Sequence, residues 1–243
     1  MPDGTPRRSY NSEGRRETAR RNRAAVLAAC RELLFQDGYH ATTVRAVAER
    51  AGVSPETVYK SFGGKPGLVK ALWDITLAGD DEPLAMGDRP EIQVILGTGE
   101  LGPKLRLYAG FARGIHERVA ALFALLTQAG PDVVEVLETA ERERLTGVTA
   151  FVTHLAETGA LPPAADPAHL ADAVWALTGP QLYTQLTAGR GWSTDAYETW
   201  LADMLAATLT ATPDPAGRAT PHSRRPEPGR RGRRSRRTGA SQP

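Results

Sequence analysis

Apolar residues recur along this chain at helical spacing, and no stretch alternates with the period of two that a half-buried strand shows. The clearest short pattern places Val44, Val47, Ala48 and Ala51 at positions i, i+3, i+4 and i+7. Longer patterns cover roughly residues 16–37, 65–78, 91–96, 103–129, 132–157, 166–190 and 193–212. The chain is therefore predicted to be all-α with about nine helices, one of them kinked at Gly179-Pro180.

Two short helices are predicted to meet at a tight turn within residues 42–68. Gly52 follows the last apolar residue of the first helix, where a left-handed residue commonly ends a helix. Ser54 then fits an N-cap, with Pro55 at the first helical position. Val58 and Phe62, four residues apart, are expected to pack the second helix against the first. This is a helix-turn-helix pattern, which can place the first turn of its second helix in the major groove of DNA.

The run AGVSPETVYKSFGGKPGLV closely resembles the DNA-binding signature of TetR-type transcriptional regulators. The matching positions are Ala51, Gly52, Val53, Ser54, Thr57, Val58, Tyr59, Phe62, Lys65 and Leu68. The run departs from the signature at Ser61, where an aromatic residue or His often contacts phosphate, and at Pro66 and Gly67. The resemblance implies an N-terminal three-helix DNA-binding domain followed by a helical domain for ligand binding and dimerisation.

Within this motif, Thr57 and Lys60 are the candidates for base edges, since a lysine can donate to guanine and a threonine methyl can contact thymine. Glu56 either accepts from a cytosine amino group or only complements the helix dipole. The resemblance implies phosphate contacts for Tyr59 and Lys65. The full set of expected DNA-binding residues is Thr43, Arg45, Ser54, Glu56, Thr57, Tyr59, Lys60, Ser61 and Lys65.

Charge is strongly segregated along the chain. Residues 1–23 hold seven Arg and three acidic residues, residues 213–243 hold nine Arg and two, and residues 76–212 hold eight basic and 18 acidic residues. Basic ends on an acidic body suit a protein that meets DNA with one part only. The expected divisions are a disordered arm (1–14), a DNA-binding domain (15–63), a regulatory and dimerisation domain (64–212) and a disordered Arg-rich tail (213–243). The basic residues of the arm and of the start of the first helix either form a solvated charged segment or contact phosphate or the minor groove. The tail is either a solvated extension or attracts DNA phosphates without sequence preference.

A single recognition helix reads few base pairs, so we expect a homodimer on a near-palindromic site, with its two helices about 34–36 Å apart. The expected dimer interface comprises Leu182, Leu186, Tyr197, Trp200, Leu201, Met204 and Leu205, although the same residues would also complete a monomeric core. The resemblance further implies a small-molecule pocket in the body. Its candidate lining is Tyr108, Phe111, His116, Phe123, Phe151, His154, Trp175 and Tyr183, each of which is otherwise ordinary core.

Several protein classes are disfavoured. No run of about 18 apolar residues predicts a transmembrane helix, and the N-terminus lacks the apolar region of a secretory signal. The single cysteine, Cys30, excludes an intramolecular disulfide and is expected to be a small core residue. No metal-ligand cluster, phosphate-binding glycine loop or nucleophile elbow predicts an enzyme or a cofactor. The resemblance implies a repressor that binds double-stranded DNA and responds to a small-molecule ligand, and we expect it in the bacterial cytoplasm, associated with the nucleoid. The alternatives are a DNA-binding regulator or a nucleoid-associated protein without a small-molecule inducer.

Overall fold

The computed structural model describes the backbone of residues 10–211 and the side chains of residues 14–211. Over this range the chain forms ten α-helices and two short 3-10 turns, with no strand, which confirms the predicted all-α architecture. The helices are α1 (Tyr10–Ala41), α2 (Val44–Ala51), α3 (Pro55–Phe62), α4 (Lys65–Ala78), α5 (Pro90–Gly97), α6 (Leu101–Thr127), α7 (Val134–Glu157), α8 (Pro167–Leu177), α9 (Pro180–Arg190) and α10 (Thr194–Thr210). The expectations for residues 1–9 and for the tail at 213–243 lie outside the described residues.

Helix α1 is longer at its start than the apolar pattern predicts. It begins at Tyr10 rather than near Arg16, and its first buried residue is Val26. At the other end the backbone leaves helical geometry at Gly38, whose φ of 79° belongs to the left-handed region that favours glycine. The predicted end of the first helix at this glycine is therefore confirmed, whereas residues 14–25 extend beyond the core.

The kink expected at Gly179-Pro180 is a complete break between two helices. Helix α8 ends at Leu177, and α9 begins at Pro180, which occupies the first helical position because it has no N–H to leave unsatisfied. The Thr178 backbone N–H and hydroxyl both donate to the Val174 carbonyl, which completes the end of α8. This break accounts for ten helices where about nine are expected.

Buried apolar residues form two clusters joined by α6. The first cluster unites α1–α4 with the C-terminal half of α6 and the start of α7, and includes Cys30, Val58 and Leu126. The second fills the body between α5, the N-terminal half of α6 and α7–α10, and includes Leu105 and Leu201. Helix α6 thus packs against the short N-terminal helices with one half and supports the body with the other.

Cys30 lies in the first cluster and is fully buried, as expected for a core residue. Burial is the main reason why the pKa of its thiol is raised to about 12, and nearby Lys65 opposes the shift. A thiol with so high a pKa stays protonated and is a poor nucleophile. The structure therefore favours a packing role for Cys30 over a redox role.

Candidate nucleic-acid interface

Local capping builds the turn between α2 and α3. The Thr43 hydroxyl accepts a hydrogen bond from the Ala46 N–H at 3.1 Å and so caps the N-terminus of α2. Gly52 ends α2 in the left-handed conformation, with φ 67° and ψ 31°. The Ser54 hydroxyl accepts from the Thr57 N–H at 3.3 Å and caps α3. The predicted caps and the predicted helix-turn-helix geometry are present.

The packing of the two helices leaves one side of α3 open to solvent. Val47 of α2 and Val58 of α3 are both buried in the first cluster. Thr57 is half-buried, and its hydroxyl shares a 3.1 Å hydrogen bond with that of Ser54. Tyr59 is 57% exposed, an unusual degree of exposure for so large a ring. The remaining expected contact residues, with exposed side chains, are Thr43, Arg45, Ser54, Glu56, Lys60 and Ser61.

Glu56 sits in the first turn of α3 and interacts with that helix's N-terminus. Its own backbone N–H and the Ser54 hydroxyl hold the pKa of its carboxyl below the usual range. Both interactions favour the charged form of the carboxyl, as expected for an acidic residue in the first turn of a helix. Of the two roles open to Glu56, the structure favours complementing the helix dipole.

Lys65 is placed differently from the expectation of a free phosphate ligand. Its Nζ donates to the Tyr39 carbonyl at 2.5 Å and lies 3.8 Å from the centre of the Tyr39 ring. Burial lowers the pKa of this ammonium, and Asp132 opposes the shift. The Tyr39 hydroxyl in turn donates to the Asp132 carbonyl at 3.3 Å, at the turn before α7. Lys65 therefore ties the start of α4 to the end of α1.

Two further residues shape this interface through contacts that the sequence alone does not show. Arg23 of α1 lies over the ring of Phe62, 5.0 Å from its centre, so α1 passes beside the last residue of α3. Gly67 has no room for a side chain, because an added Cβ would overlap the Phe62 carbonyl oxygen. The departure of Gly67 from the family signature thus has a steric reason, although only the packing of α3 against α4 reveals it.

The exposed arginines of α1 form a line next to this contact. Arg16 and Arg20 precede Arg23 by seven and three residues, a spacing that places all three on one side of a helix. Arg20 also pairs with Glu17 at 3.3 Å, a solvent-exposed contact of little energetic weight. Because Arg23 lies against α3, this line continues from the recognition helix along α1.

Most of the expected pocket residues pack against one another in the body. Tyr108 and Phe151 stack with their ring centres 4.1 Å apart, and Phe111 lies 6.5 Å from Tyr108. The guanidinium carbon of Arg144 lies over the Trp175 ring, 4.7 Å from its centre. The expectation that Phe123 shares a pocket with them is wrong: it belongs to the first cluster, where it packs against Trp73.

His116 is a buried structural histidine. Its Nε2 lies 3.1 Å from the Thr178 carbonyl, and its Nδ1 lies 3.3 Å from the Tyr197 hydroxyl. This pairing is satisfied when Nε2 carries the ring proton and Nδ1 accepts. Burial, above all, lowers the pKa of His116 to about 4, so the ring is neutral near neutral pH. Tyr183 also packs on this ring, with centres 5.2 Å apart.

The expected dimer interface needs a second correction. Tyr197, Leu201 and Leu205 are 0% exposed and belong to the second cluster, so they complete the core of their own chain and cannot face a partner. An amphipathic pattern shows that a residue is buried but not by which chain. The other four expected residues are half-buried: Leu182, Leu186, Trp200 and Met204.

The described residues show neither a metal site nor a membrane span. Among residues 14–211, no group of three or more His, Cys, Asp or Glu side chains is arranged to hold a metal ion. No helix in this range combines the length and the apolar character that crossing a bilayer requires.

Residues 26–72 match the family model described as bacterial regulatory proteins of the tetR family. Over 47 residues, 19% of the chain, the sequence is 47% identical to the uncharacterized HTH-type transcriptional regulator YvkB of Bacillus subtilis (strain 168). The aligned residues cover 25% of the length of YvkB. The match therefore concerns the helix-turn-helix region and not the body.

Solved structures share the fold at low sequence identity. FadR from Bacillus subtilis in complex with stearoyl-CoA is 16% identical, with 76% of this chain and 98% of that chain covered at a TM-score of 0.59. NalD, the secondary repressor of the MexAB-OprM multidrug efflux pump in Pseudomonas aeruginosa, is 20% identical, with coverage of 79% and 97% and a TM-score of 0.57. A putative TetR-family transcriptional regulator from Rhodococcus sp. is also 20% identical, with coverage of 78% and 99% and a TM-score of 0.60. Residues 26–72 are therefore a tetR-type helix-turn-helix region, and the chain as a whole shares the fold of these solved structures.

Proposed function

We propose that this protein is a sequence-specific transcriptional repressor that binds a near-palindromic operator as a homodimer and is released by a small molecule bound in its helical body. The observation that carries the proposal is the geometry of α3. This helix is capped at Ser54, supported from behind by Val58 and open to solvent on its polar side. A helix presented in this way suits insertion into the major groove.

Five side chains of α2 and α3 have distinct roles in this proposal. Lys60 donates to guanine O6 and N7, and Thr57 contacts a thymine methyl or a phosphate. Tyr59 uses its exposed hydroxyl on a phosphate oxygen, and Arg45 of α2 contacts the backbone or a neighbouring base. Glu56 stays at the N-terminus of α3, where its lowered pKa keeps the carboxylate charged.

The arginine line of α1 adds contacts that carry no sequence information. Arg16 and Arg20 are exposed and lie on the same side of α1 as Arg23, which contacts Phe62 of α3. When α3 enters the groove, this line is directed toward the adjacent phosphates. Such contacts strengthen binding to all DNA and make it salt-dependent.

A surface on α9 and α10 is the proposed dimer interface. Leu182, Leu186, Trp200 and Met204 are only half-buried in one chain. Trp192, 37% exposed, meets Trp200 edge-on with ring centres 6.0 Å apart. Two copies of α9 and α10 packed as a four-helix arrangement would remove this apolar surface from water.

Release by a ligand requires that the body and the recognition helix move together. Arg118 of α6 donates to the Leu77 carbonyl of α4 at 2.8 Å, and Lys70 of α4 pairs with Glu143 of α7 at 3.0 Å. Helix α4 follows α3 directly, so a shift of α6 or α7 changes the position of α3. A ligand weakens DNA binding only if it binds better to the arrangement whose recognition helices are wrongly spaced. FadR, which shares this fold, was solved in complex with stearoyl-CoA, which supports a small-molecule ligand for this protein as well.

The first experiment is selection of duplexes from a random-sequence pool, followed by fluorescence anisotropy of the selected and scrambled duplexes at about 150 mM salt. We expect a preference of about 1000-fold for the selected duplex, as for specific DNA-binding proteins. Lys60→Ala should abolish most of that preference, whereas Arg142→Ala, at an exposed arginine whose side-chain partners Glu138 and Thr139 lie on its own helix α7, should leave it intact. Selection without any enriched sequence would instead assign the protein to non-specific DNA binders.

A further inference from the structure

Within the described part of the chain, the buried Lys104 has no carboxylate partner. It lies in the first turn of α6 and is only 3% exposed. Among the described residues its Nζ has one hydrogen-bond partner, His154 Nε2 on α7, at 3.0 Å. None of the ion pairs formed by the described residues includes it. By contrast, the better exposed Lys70 pairs with two carboxylates, those of Asp74 and Glu143.

The Lys104–His154 contact leaves positive charge and donors unsatisfied. An ammonium has three N–H donors, and His154 can accept only one of them through the lone pair of Nε2. That acceptance requires a neutral ring whose proton is on Nδ1, so the histidine contributes a second donor and no negative charge. Burying an ammonium without a counter-charge is costly unless an anion joins it.

The start of α6 adds to the positive potential. The helix runs for 27 residues from Leu101, and its N-cap residue Glu100 makes no side-chain hydrogen bond to it. The N-terminus of a helix carries a partial positive charge from unpaired N–H groups. Lys104 lies within the turn where this effect is strongest, so helix end and side chain attract the same kind of ligand, an anion.

Apolar side chains adjoin this pair on both helices. Tyr108 is one turn after Lys104 on α6, Phe151 is one turn before His154 on α7, and their buried rings are stacked 4.1 Å apart. His154 also lines an open cleft of about 590 Å³ along α7, together with Leu145, Ala150, three threonines and, at its far end, Glu157. A cationic head site beside a cleft that is lined mainly by aliphatic and threonine side chains matches an amphiphilic ligand.

We propose that Lys104 and His154 bind the carboxylate of an anionic amphiphile whose apolar part lies along α7. A carboxylate provides the missing counter-charge and accepts the N–H groups that the pair leaves unused. The assignment deepens the proposed function, on which it rests, by giving the chemical class of the small molecule that the body senses. Such a ligand would contact α6 through Lys104 and α7 through His154 and the cleft. These are the two helices whose Arg118 and Glu143 side chains contact α4.

The test compares two probes of equal length, octanoate and 1-octanol, titrated calorimetrically into the full-length protein without DNA. The wild type should bind octanoate at least tenfold more tightly than octanol. Lys104→Met and Lys104→Gln should each reduce that ratio to within twofold, the second while retaining a donor for His154. Lys70→Met, the same change at a lysine that has its carboxylates, should keep the tenfold ratio. Circular dichroism of each variant checks that its helices are intact.

Either of two results would overturn the proposal: a wild type with no preference for octanoate, or a preference that survives both substitutions of Lys104. Thermal unfolding without ligand gives a second criterion. Lys104→Met should melt no lower than the wild type because it removes an uncompensated charge, and a clearly lower melting temperature would contradict that premise. Failure of the proposed function would look different from failure of this inference. The wild type would then show no sequence-specific DNA binding but would still prefer octanoate over octanol.

Discussion

Acidification should destabilise the folded protein through His116. This ring connects three elements: it is part of α6, it bonds the Thr178 carbonyl between α8 and α9, and it bonds the Tyr197 hydroxyl of α10. Protonation would place a charge in the second cluster and would turn Nδ1 from an acceptor toward Tyr197 into a donor. Burial is the main cause of the low pKa, and the charge of Arg144 lowers it further.

The size of the effect follows from the two pKa values. The ring titrates at 6.5 when unperturbed and at about 4 in the fold, so between these values the unfolded chain binds a proton that the folded chain does not. Stability is therefore complete above pH 6.5 and is lost as the pH falls toward 4. At 1.36 kcal/mol for each pKa unit, the loss between pH 8 and pH 5 is about 2 kcal/mol.

Urea unfolding at pH 8, 6 and 5, at one fixed protein concentration, measures this loss. His116→Gln is the matched control, since an amide offers a donor and an acceptor but does not titrate. The variant should be less stable than the wild type at pH 8, and it should lose about 2 kcal/mol less on acidification to pH 5. Equal losses for the two proteins would refute the assignment of this acid sensitivity to His116.

Three further outcomes are expected. Replacing Arg16 and Arg20 together with Gln should lower the slope of log affinity against log salt by about 2, roughly 0.9 per phosphate contact, while the preference for operator over scrambled DNA is retained; an unchanged slope would remove α1 from the interface. Gly67→Ala should lower both the melting temperature and operator affinity because its Cβ meets backbone, whereas Gly147→Ala, with open space around its Cβ in α7, should be neutral or stabilising by up to about 1 kcal/mol. Leu186→Arg should shift the mass found by sedimentation equilibrium from dimer to monomer, and an unaltered mass would place the interface elsewhere.

The helix-turn-helix was predictable because short-range chemistry defines it. Ser54 caps the helix that starts one residue later, and Gly52 adopts the left-handed conformation that its own lack of a side chain permits. Such interactions span at most four residues, so they can be recognised from the order of residues alone. The same holds for Gly38, where the helical geometry of α1 ends.

Contacts between distant segments were not predictable in the same way. The sequence indicates that Lys65 begins α4, but only the folded chain brings it to the Tyr39 carbonyl. Likewise, nothing near Gly67 in sequence indicates that the Phe62 carbonyl occupies the space of a side chain. Lys104 stands four residues after Glu100, yet the fold pairs it with His154 from another helix.

The sequence by itself determined where most helices lie, which residues end each helix in the turn motif, and which are apolar enough to be buried. The tertiary structure decided what buries them: Tyr197 lies in the core of its own chain, and Phe123 packs with Trp73 rather than with Tyr108. The physical reason is that hydrophobic burial has no direction, since an apolar side chain gains about the same free energy from any partner that removes it from water. Capping hydrogen bonds, by contrast, depend on local geometry, so their partners can be named from the sequence.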